Sequence, residues 1–211
     1  MSVFSYIPEK TKTFELIAQI KNENEMLLGD LEAYRIYQVV KKTEKIPGDI
    51  AEVGVYKGAS AKLMAETTRK TIHLFDTFEG LPDLVEQDNL GQFRKGDCLA
   101  LFDETKNYLE GYSNIHFYKG IFPATSGPIQ DKKFSFVHLD VDLYKPTLDS
   151  LIFFYPRLSP GGVIISHDYR DTPEFHNSGV KKAFDEFFSD KPEIVIEFLE
   201  GTQCLVVKVA Q

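Results

Sequence analysis

"EIVIEFLEGTQCLVVKVA", residues 193–210, carries two strand-like runs joined by a short turn at Gly201. Such runs around a glycine predict an antiparallel hairpin near the carboxyl end of the chain. Upstream the rhythm differs. Short runs rich in β-branched and aromatic residues occur at 49–55, 71–77, 114–120, 134–140 and 162–168. Several are apolar on both faces, as a parallel sheet covered by helices on each side requires. Five strands with crossovers thus come first, then one helix, then a hairpin. A plain dinucleotide-binding sheet does not finish that way.

The helical stretches between these runs are equally readable. Residues 13–45 read as mostly helical with a break near Gly29. Asp30 is the expected N-cap and Glu32 lies in the first turn, where negative charge suits the dipole. A capping box on that register would need Glu or Gln where Ala33 stands. Lys41, Lys42 and Lys45 close the helix, and Pro47–Gly48 stops it. In "KPTLDSLIFFYPRL" (145–158), Leu148, Leu151, Ile152, Tyr155 and Leu158 form an apolar stripe, with Pro146 in the first turn and Pro156 set to kink or end the helix. In "GVKKAFDEFF" (179–188), Val180, Ala183, Phe184, Phe187 and Phe188 do the same. The long irregular stretch 79–96 has the length of a lid or substrate loop, within a wider candidate region 79–113.

Bulk numbers bound the function. At 211 residues, 43% hydrophobic and 27% charged, the chain suits one α/β domain with a sizeable core. A net charge of -8 argues against a nucleic-acid surface. Cys98 and Cys204 are too few for a disulfide framework and read as reduced thiols in a cytoplasmic protein. The start, "MSVFSYIPEKTKTFEL", offers neither a signal-peptide apolar region nor a membrane span.

In open α/β sheets ligands bind at the carboxyl ends of the strands, so chemistry is sought there. The first strand ends in "AEVGVYKGAS" (51–60), where Gly54 and Gly58 let a ligand approach the backbone and a helix N-terminus offers free N–H groups. Glu52 is a poor neighbour for phosphates and suits a cationic ligand. The second strand ends in "HLFDTFEGLP" (73–82), where Asp76 is placed to accept both hydroxyls of a ribose or, alternatively, to cap a turn. Two such signals in this order point to a nucleoside-type cofactor. The fourth strand ends in "FVHLDVDLY" (136–144) and the fifth in "ISHDY" (165–169). Asp140 and Asp142 point to one side of an extended chain, and His167 and Asp168 stand on the neighbouring rim. Crowding these groups is costly unless a cation or proton neutralises them, so a divalent metal is expected. Successive residues of a strand point opposite ways, so His167 and Asp168 can share an ion only if the strand has already turned.

The ending with an antiparallel hairpin is that of a Rossmann-like class I methyltransferase fold: a seven-stranded, mostly parallel sheet, here preceded by N-terminal helices over 1–46. "IPGDIAEVGVYKGASAKLM", "LFDTFEGLP", "FVHLDVDLYKPTLDSLIFFYPRLSPGGVIISHDY" and "GVKKAFDEFF" together resemble the macrocin O-methyltransferase family over about Gly48 to Phe188. Members are S-adenosylmethionine-dependent and magnesium-dependent enzymes that methylate sugar hydroxyls. The resemblance implies that Glu52, Gly54, Tyr56, Gly58 and Ser60 line the methionine end of the cofactor. It also implies that Asp76 takes the ribose with Thr77 and Phe78 alongside, and that Gly120 and Ile121 border the adenine. Asp140, His167 and Asp168 then fall on the metal-ligand positions. The family's usual Asp-Asp pair is His167–Asp168 here. An imidazole in that place suits manganese, iron or zinc better than magnesium.

The expected reaction is in-line methyl transfer to a substrate oxygen, with Asp140 as ligand and Asp142 or His167 as base. Two alternatives stay open: a haloacid-dehalogenase-like phosphatase using the D-x-D of 140–142, or a catalytically silent S-adenosylmethionine-binding protein. The N-terminal helices could pack on a second subunit, giving a homo-oligomer, or on their own domain.

Overall fold

The computed structural model of the chain describes residues 8–88, 92–170 and 178–210. Residues 89–91, inside the expected lid region, lie outside the described residues. Two helices, α1 (Pro8–Glu23) and α2 (Asp30–Lys42), precede β1 (Asp49–Val53). Then follow α3 (Ala59–Thr67), β2 (Ile72–Asp76), α4 (Phe102–Tyr108), β3 (Ile115–Lys119) and β4 (Phe134–Leu139). α5 (Tyr144–Phe154), β5 (Leu158–Ser166), α6 (Ser178–Phe188), β6 (Ile196–Glu197) and β7 (Cys204–Val207) complete the order. The seven strands form one sheet, β3-β2-β1-β4-β5-β7-β6. β1 to β5 pair in parallel, while β7 runs antiparallel to β5 and pairs with β6 as the expected hairpin.

Alternation along the strands fills two cores. Ile50, Leu74, Phe136 and Ile165 face one side, with Ile20, Ile36 and Met64 of α1, α2 and α3. Ala51, Phe75, Val137 and Ile164 face the other, with Phe154 of α5 and Phe184 of α6. Strands apolar on both faces therefore sit between two helical layers. α1 and α2 pack on their own chain, against α3 and the first core, so the extension is part of this domain's wall.

Two helix readings need correction. The N-cap of α2 is Gly29, one residue earlier than expected, and Glu32 is therefore the third helical residue. Its Oε2 accepts from the Gly29 N–H at 2.8 Å, the return half of a capping box. A glycine has no side chain to supply the other half. In α5 the buried face is Thr147, Ser150, Leu151 and Phe154, while Ile152 is 57% exposed. The stripe was drawn from apolar residues alone. Thr147 and Ser150 instead donate to the carbonyls of Leu143 and Pro146, each at 2.7 Å, which lets them be buried. Pro156 does end the helix, in a 3-10 turn over Tyr155–Arg157, and Leu158 opens β5. The α6 stripe holds: Val180, Ala183, Phe184 and Phe188 are buried.

Candidate functional site

A cavity of about 570 Å³ opens at the carboxyl ends of β1, β2, β4 and β5, within the range of small-molecule sites. Gly54, Tyr56, Ser60, Asp76, Thr77, Gly120 and Ile121 line it, and so do Asp140, Asp142, His167 and Asp168. Glu25 to Leu28, the link between α1 and α2, close over it. That link is pinned by Asn24, which donates to the Lys57 carbonyl at 2.8 Å, and by the Tyr56 hydroxyl, which donates to Glu25 at 3.1 Å.

Three residues expected at the cofactor are absent from the wall. Glu52 is fully buried and bonds His138 Nδ1 at 2.8 Å; burial raises its carboxyl despite that partner. Phe78 is 3% exposed and packs edge-on against Phe102, with its centroid 5.0 Å away. Gly58 caps α3 with φ 86°, a left-handed conformation that favours glycine, and a Cβ there would also press on the Leu109 side chain at 2.9 Å. Gly54 does line the cavity, yet its φ of 87° serves a different contact: a Cβ would lie 1.8 Å from the Asp140 carbonyl oxygen. Crossing of the β1 and β4 ends requires that glycine.

Asp76 does more than one job. Its Oδ2 accepts from the N–H groups of Val55 and Tyr56 at 2.7 and 2.9 Å, and Oδ1 from Phe78 at 2.7 Å. The carboxylate thereby clamps the β1–α3 loop to the end of β2. With about four acceptor sites per carboxylate, one stays open, which is fewer than a ribose diol would use. Thr77 is partly committed as well, donating to the Gly80 carbonyl at 2.8 Å. Of the aromatics in 79–113 only Phe93 reaches the cavity; Phe102, Tyr108 and Tyr112 pack on the first core.

The acid cluster forms where β4 and β5 run out together. The His167 N–H donates to the Leu139 carbonyl at 2.9 Å, extending the β4–β5 ladder one residue past β5. Asp168 then takes φ 58° and Asp142 φ 59°, left-handed conformations that turn both chains at the same level. That turn settles the orientation difficulty: His167 Nδ1 lies 3.3 Å from Asp140 Oδ1 and 3.1 Å from Asp168 Oδ1. Asp140, His167 and Asp168 each present a donor atom within 4.8 Å of the others.

Charge in this cluster is balanced by the imidazole. Burial opposes charging His167, but the Asp168 and Asp140 carboxylates beside it hold it well above its ordinary range. Burial would raise Asp140, and the facing His167 instead lowers it. Asp142 goes the other way: burial and the charges of Asp168 and Asp140 push it well up.

One participant escaped the sequence reading. Glu32, from the first turn of α2, sits with Oε2 3.2 Å from His167 Nε2. Burial alone would raise its carboxyl, yet His167 and the N–H groups of Thr202 and Gly29 hold it at about 2. Its only sequence signal was an acid near a helix start, which reads as dipole compensation.

Among the described residues no helix is long and apolar enough to cross a membrane. Against known proteins, residues 29–194 match the family described as Macrocin-O-methyltransferase (TylF). Demethyldecarbamoylnovobiocin O-methyltransferase of Streptomyces niveus is 30% identical over 158 residues, 67% of this chain and 58% of that protein. 8-Demethyl-8-(2,3-dimethoxy-alpha-L-rhamnosyl)-tetracenomycin-C 4'-O-methyltransferase of Streptomyces olivaceus is 29% identical over 140 residues, 59% of this chain and 54% of that protein. The chain thus spans a little over half the length of these relatives. The solved structure of the O-methyltransferase NovP superposes with a TM-score of 0.73 at 26% identity, covering 88% of this chain and 82% of that one. A sheet ending in an antiparallel hairpin, with its cavity at the strand ends, accords with that likeness: the chain belongs to the macrocin O-methyltransferase family.

Proposed function

We propose that this chain transfers a methyl group from S-adenosylmethionine to a hydroxyl of a sugar-bearing small molecule, assisted by a divalent metal ion. The observation that carries the reading is the convergence of Asp140, His167 and Asp168 on one side of a small-molecule cavity, in a chain of this family. The sugar is suggested by the relatives' names, one of them a rhamnosyl-tetracenomycin-C 4'-O-methyltransferase. At the rim, Leu27 is 63% exposed, apolar surface suited to the body of a glycoside.

S-adenosylmethionine brings a methyl already activated on sulfonium, so the protein's task is positioning and proton removal. Gly54, Tyr56 and Ser60 would face the methionine end, Asp76 with its one open acceptor site the ribose, and Gly120 and Ile121 the adenine. The donor set fits a divalent ion of the kind that accepts nitrogen beside oxygen, with Asp140, His167 and Asp168 as its holders. Such an ion, when bound, lowers the pKa of the acceptor hydroxyl. Both ring nitrogens of His167 are committed, Nδ1 to the aspartates and Nε2 to Glu32. Asp142 lines the cavity beside them and is the base in this reading, once a bound ion would offset the Asp168 and Asp140 charges that, with burial, push its carboxyl up.

The phosphatase alternative loses its footing, because the D-x-D at 140–142 ends the fourth strand of a chain that belongs to a methyltransferase family. The test is calorimetry with S-adenosylmethionine followed by methyl transfer to a panel of deoxysugar glycosides, before and after EDTA and with Mn2+ or Mg2+ restored. The expected result is cofactor binding without metal and transfer only with it. Full transfer after chelation would remove the metal from the reading; binding with no product from any glycoside would favour the silent alternative.

A further inference from the structure

The carboxylate of Glu32 is held from several sides, the Thr202 hydroxyl among them at 3.5 Å. Oε1 accepts the Thr202 N–H at 2.8 Å, Oε2 accepts the Gly29 N–H at 2.8 Å, and Oε2 also faces His167 Nε2 at 3.2 Å. The fit is built from the hairpin side too: a Cβ on Gly201 would stand 2.2 Å from Glu32 Oε1, so only glycine admits the carboxylate there. Glu32 is 7% exposed. Thr202 in turn accepts the Asp168 N–H on its hydroxyl at 3.2 Å, tying the same turn to the neighbouring acid.

A carboxylate so placed only accepts hydrogen bonds, and it therefore demands a proton on His167 Nε2. In the neutral ring that leaves the Nδ1 lone pair bare, and Nδ1 is the nitrogen that faces Asp140 and Asp168. A carboxylate gripping the distal nitrogen of an imidazole fixes its tautomer and direction and raises its basicity as a ligand. We propose that Glu32 is a positioning residue that locks His167 with Nδ1 toward Asp140 and Asp168, giving the centre a nitrogen donor and a preference for Mn2+ over Mg2+. The helix that follows the link closing over the cavity thus also reaches the metal-ligand positions. Magnesium binds oxygen and gives up water reluctantly, whereas manganese accepts an imidazole.

This inference rests on the metal-assisted reading, and the experiment separates the two. Mn2+ and Mg2+ affinities of the full chain are measured by calorimetry, with Mn2+ also followed by loss of the free-ion electron paramagnetic resonance signal. Wild type, E32Q, H167D and the double variant are compared. E32Q is expected to weaken Mn2+ binding 10–100-fold, because the Gln amide can donate to Nε2 and drive the ring proton onto Nδ1. Mg2+ binding should change less, so the preference shrinks. In the H167D background, E32Q should cost nothing further. Equal losses in both backgrounds would mean that Glu32 acts only by holding Gly29 and Thr202, and the positioning role would be rejected. Wild type that binds neither ion would sink the metal reading and this inference with it. An unaltered Mn2+ affinity in E32Q would sink this inference alone. Should E32Q fail to fold, nitrogen-15 spectra of wild type with Zn2+ decide: a metal-shifted Nδ1 and a protonated Nε2 on His167 support the assignment, and the reverse overturns it.

Discussion

His73 is buried and His167 half-buried, both face carboxylates, and their surroundings drive them in opposite directions. His73, near the start of β2, puts Nε2 3.0 Å from Asp49 Oδ2 and Nδ1 2.9 Å from the Tyr118 hydroxyl. A neutral ring protonated on Nε2 satisfies both partners. Burial lowers its pKa, and Lys132 and His116 oppose what Asp49 does to raise it. His167 faces Glu32, Asp140 and Asp168, and the latter two acids overcome its burial. The difference lies in compensation: Asp49 is shared with Lys132 at 2.9 Å, whereas among the described residues no lysine or arginine pairs with Glu32, Asp140 or Asp168. A histidine whose partners are already balanced is packing. One left to balance an excess of acids stands where a cation belongs.

The largest effect expected from breaking this contrast is at Asp140. Asp140→Asn removes one acid and one donor from the His167 cluster. Turnover should fall about 10²–10⁴-fold, the usual loss for a residue that assists proton transfer or positions the reacting oxygen. S-adenosylmethionine affinity, read by calorimetry, should stay within a few-fold. Wild-type turnover in this variant would place the chemistry elsewhere in the cavity.

The mirror experiment is His73→Ala, which should act on stability and leave the cavity alone. The ring is 2% exposed, stacks on His116 and Tyr118 at 5.7 Å each, and meets Phe134 edge-on at 6.0 Å. Truncation leaves a hole and strands two polar partners, at a cost of about 3 kcal/mol. Urea unfolding measures it. A cost below about 1 kcal/mol would show that the ring is not packing of the kind described, and a changed S-adenosylmethionine affinity would show that the two ends of the sheet are coupled.

Legibility followed the range of the interactions. Asp140, Asp142, His167 and Asp168 could be found because strand ends are local features, and the ladder from β4 to β5 brings them together. The hairpin was readable because Gly201 stands between two apolar runs. Glu32 could not be read: its partners lie 135 and 170 positions downstream, and nothing local distinguishes an acid serving a helix dipole from one gripping an imidazole. Glu52, Gly58 and Phe78 stay off the cavity wall for the opposite reason. Within strand-end motifs, Glu52 and Phe78 turn into the sheet and the core, which a motif does not state, and Gly58 serves its own positive φ at the start of α3.

A smaller effect concerns pH. The folded state lowers the His73 pKa from 6.5, so the unfolded chain takes up that proton first as pH falls. Stability contributed by the neutral ring is full above 6.5 and declines as pH drops toward the folded pKa, by at most about 1.4 kcal/mol per pH unit. Asp49, itself lowered from 3.8, adds nothing to that window. Urea midpoints between pH 7.5 and 5.5 should fall more steeply in wild type than in His73→Gln. Parallel slopes would mean that folding does not shift the ring's titration, and a shallower slope in wild type that the fold holds it charged; either loses the contrast with His167.

The smallest effect uses Cys98 as a gauge of charge beside His167. Cys98 lines the cavity and is exposed, yet nearby atoms and then the charges of Asp142 and Asp140 push its thiol up to about 12. Cys204 is buried, so a small alkylating reagent should label Cys98 alone. Labelling at pH 8 should be slower than for an ordinary thiol, because the thiolate is the reacting form. A divalent ion held by Asp140, His167 and Asp168 would cancel part of that negative field and speed labelling several-fold. Asp142→Asn should do the same without metal. If neither changes the rate, the acids around His167 are already neutral, and its imidazole has no excess of charge to balance.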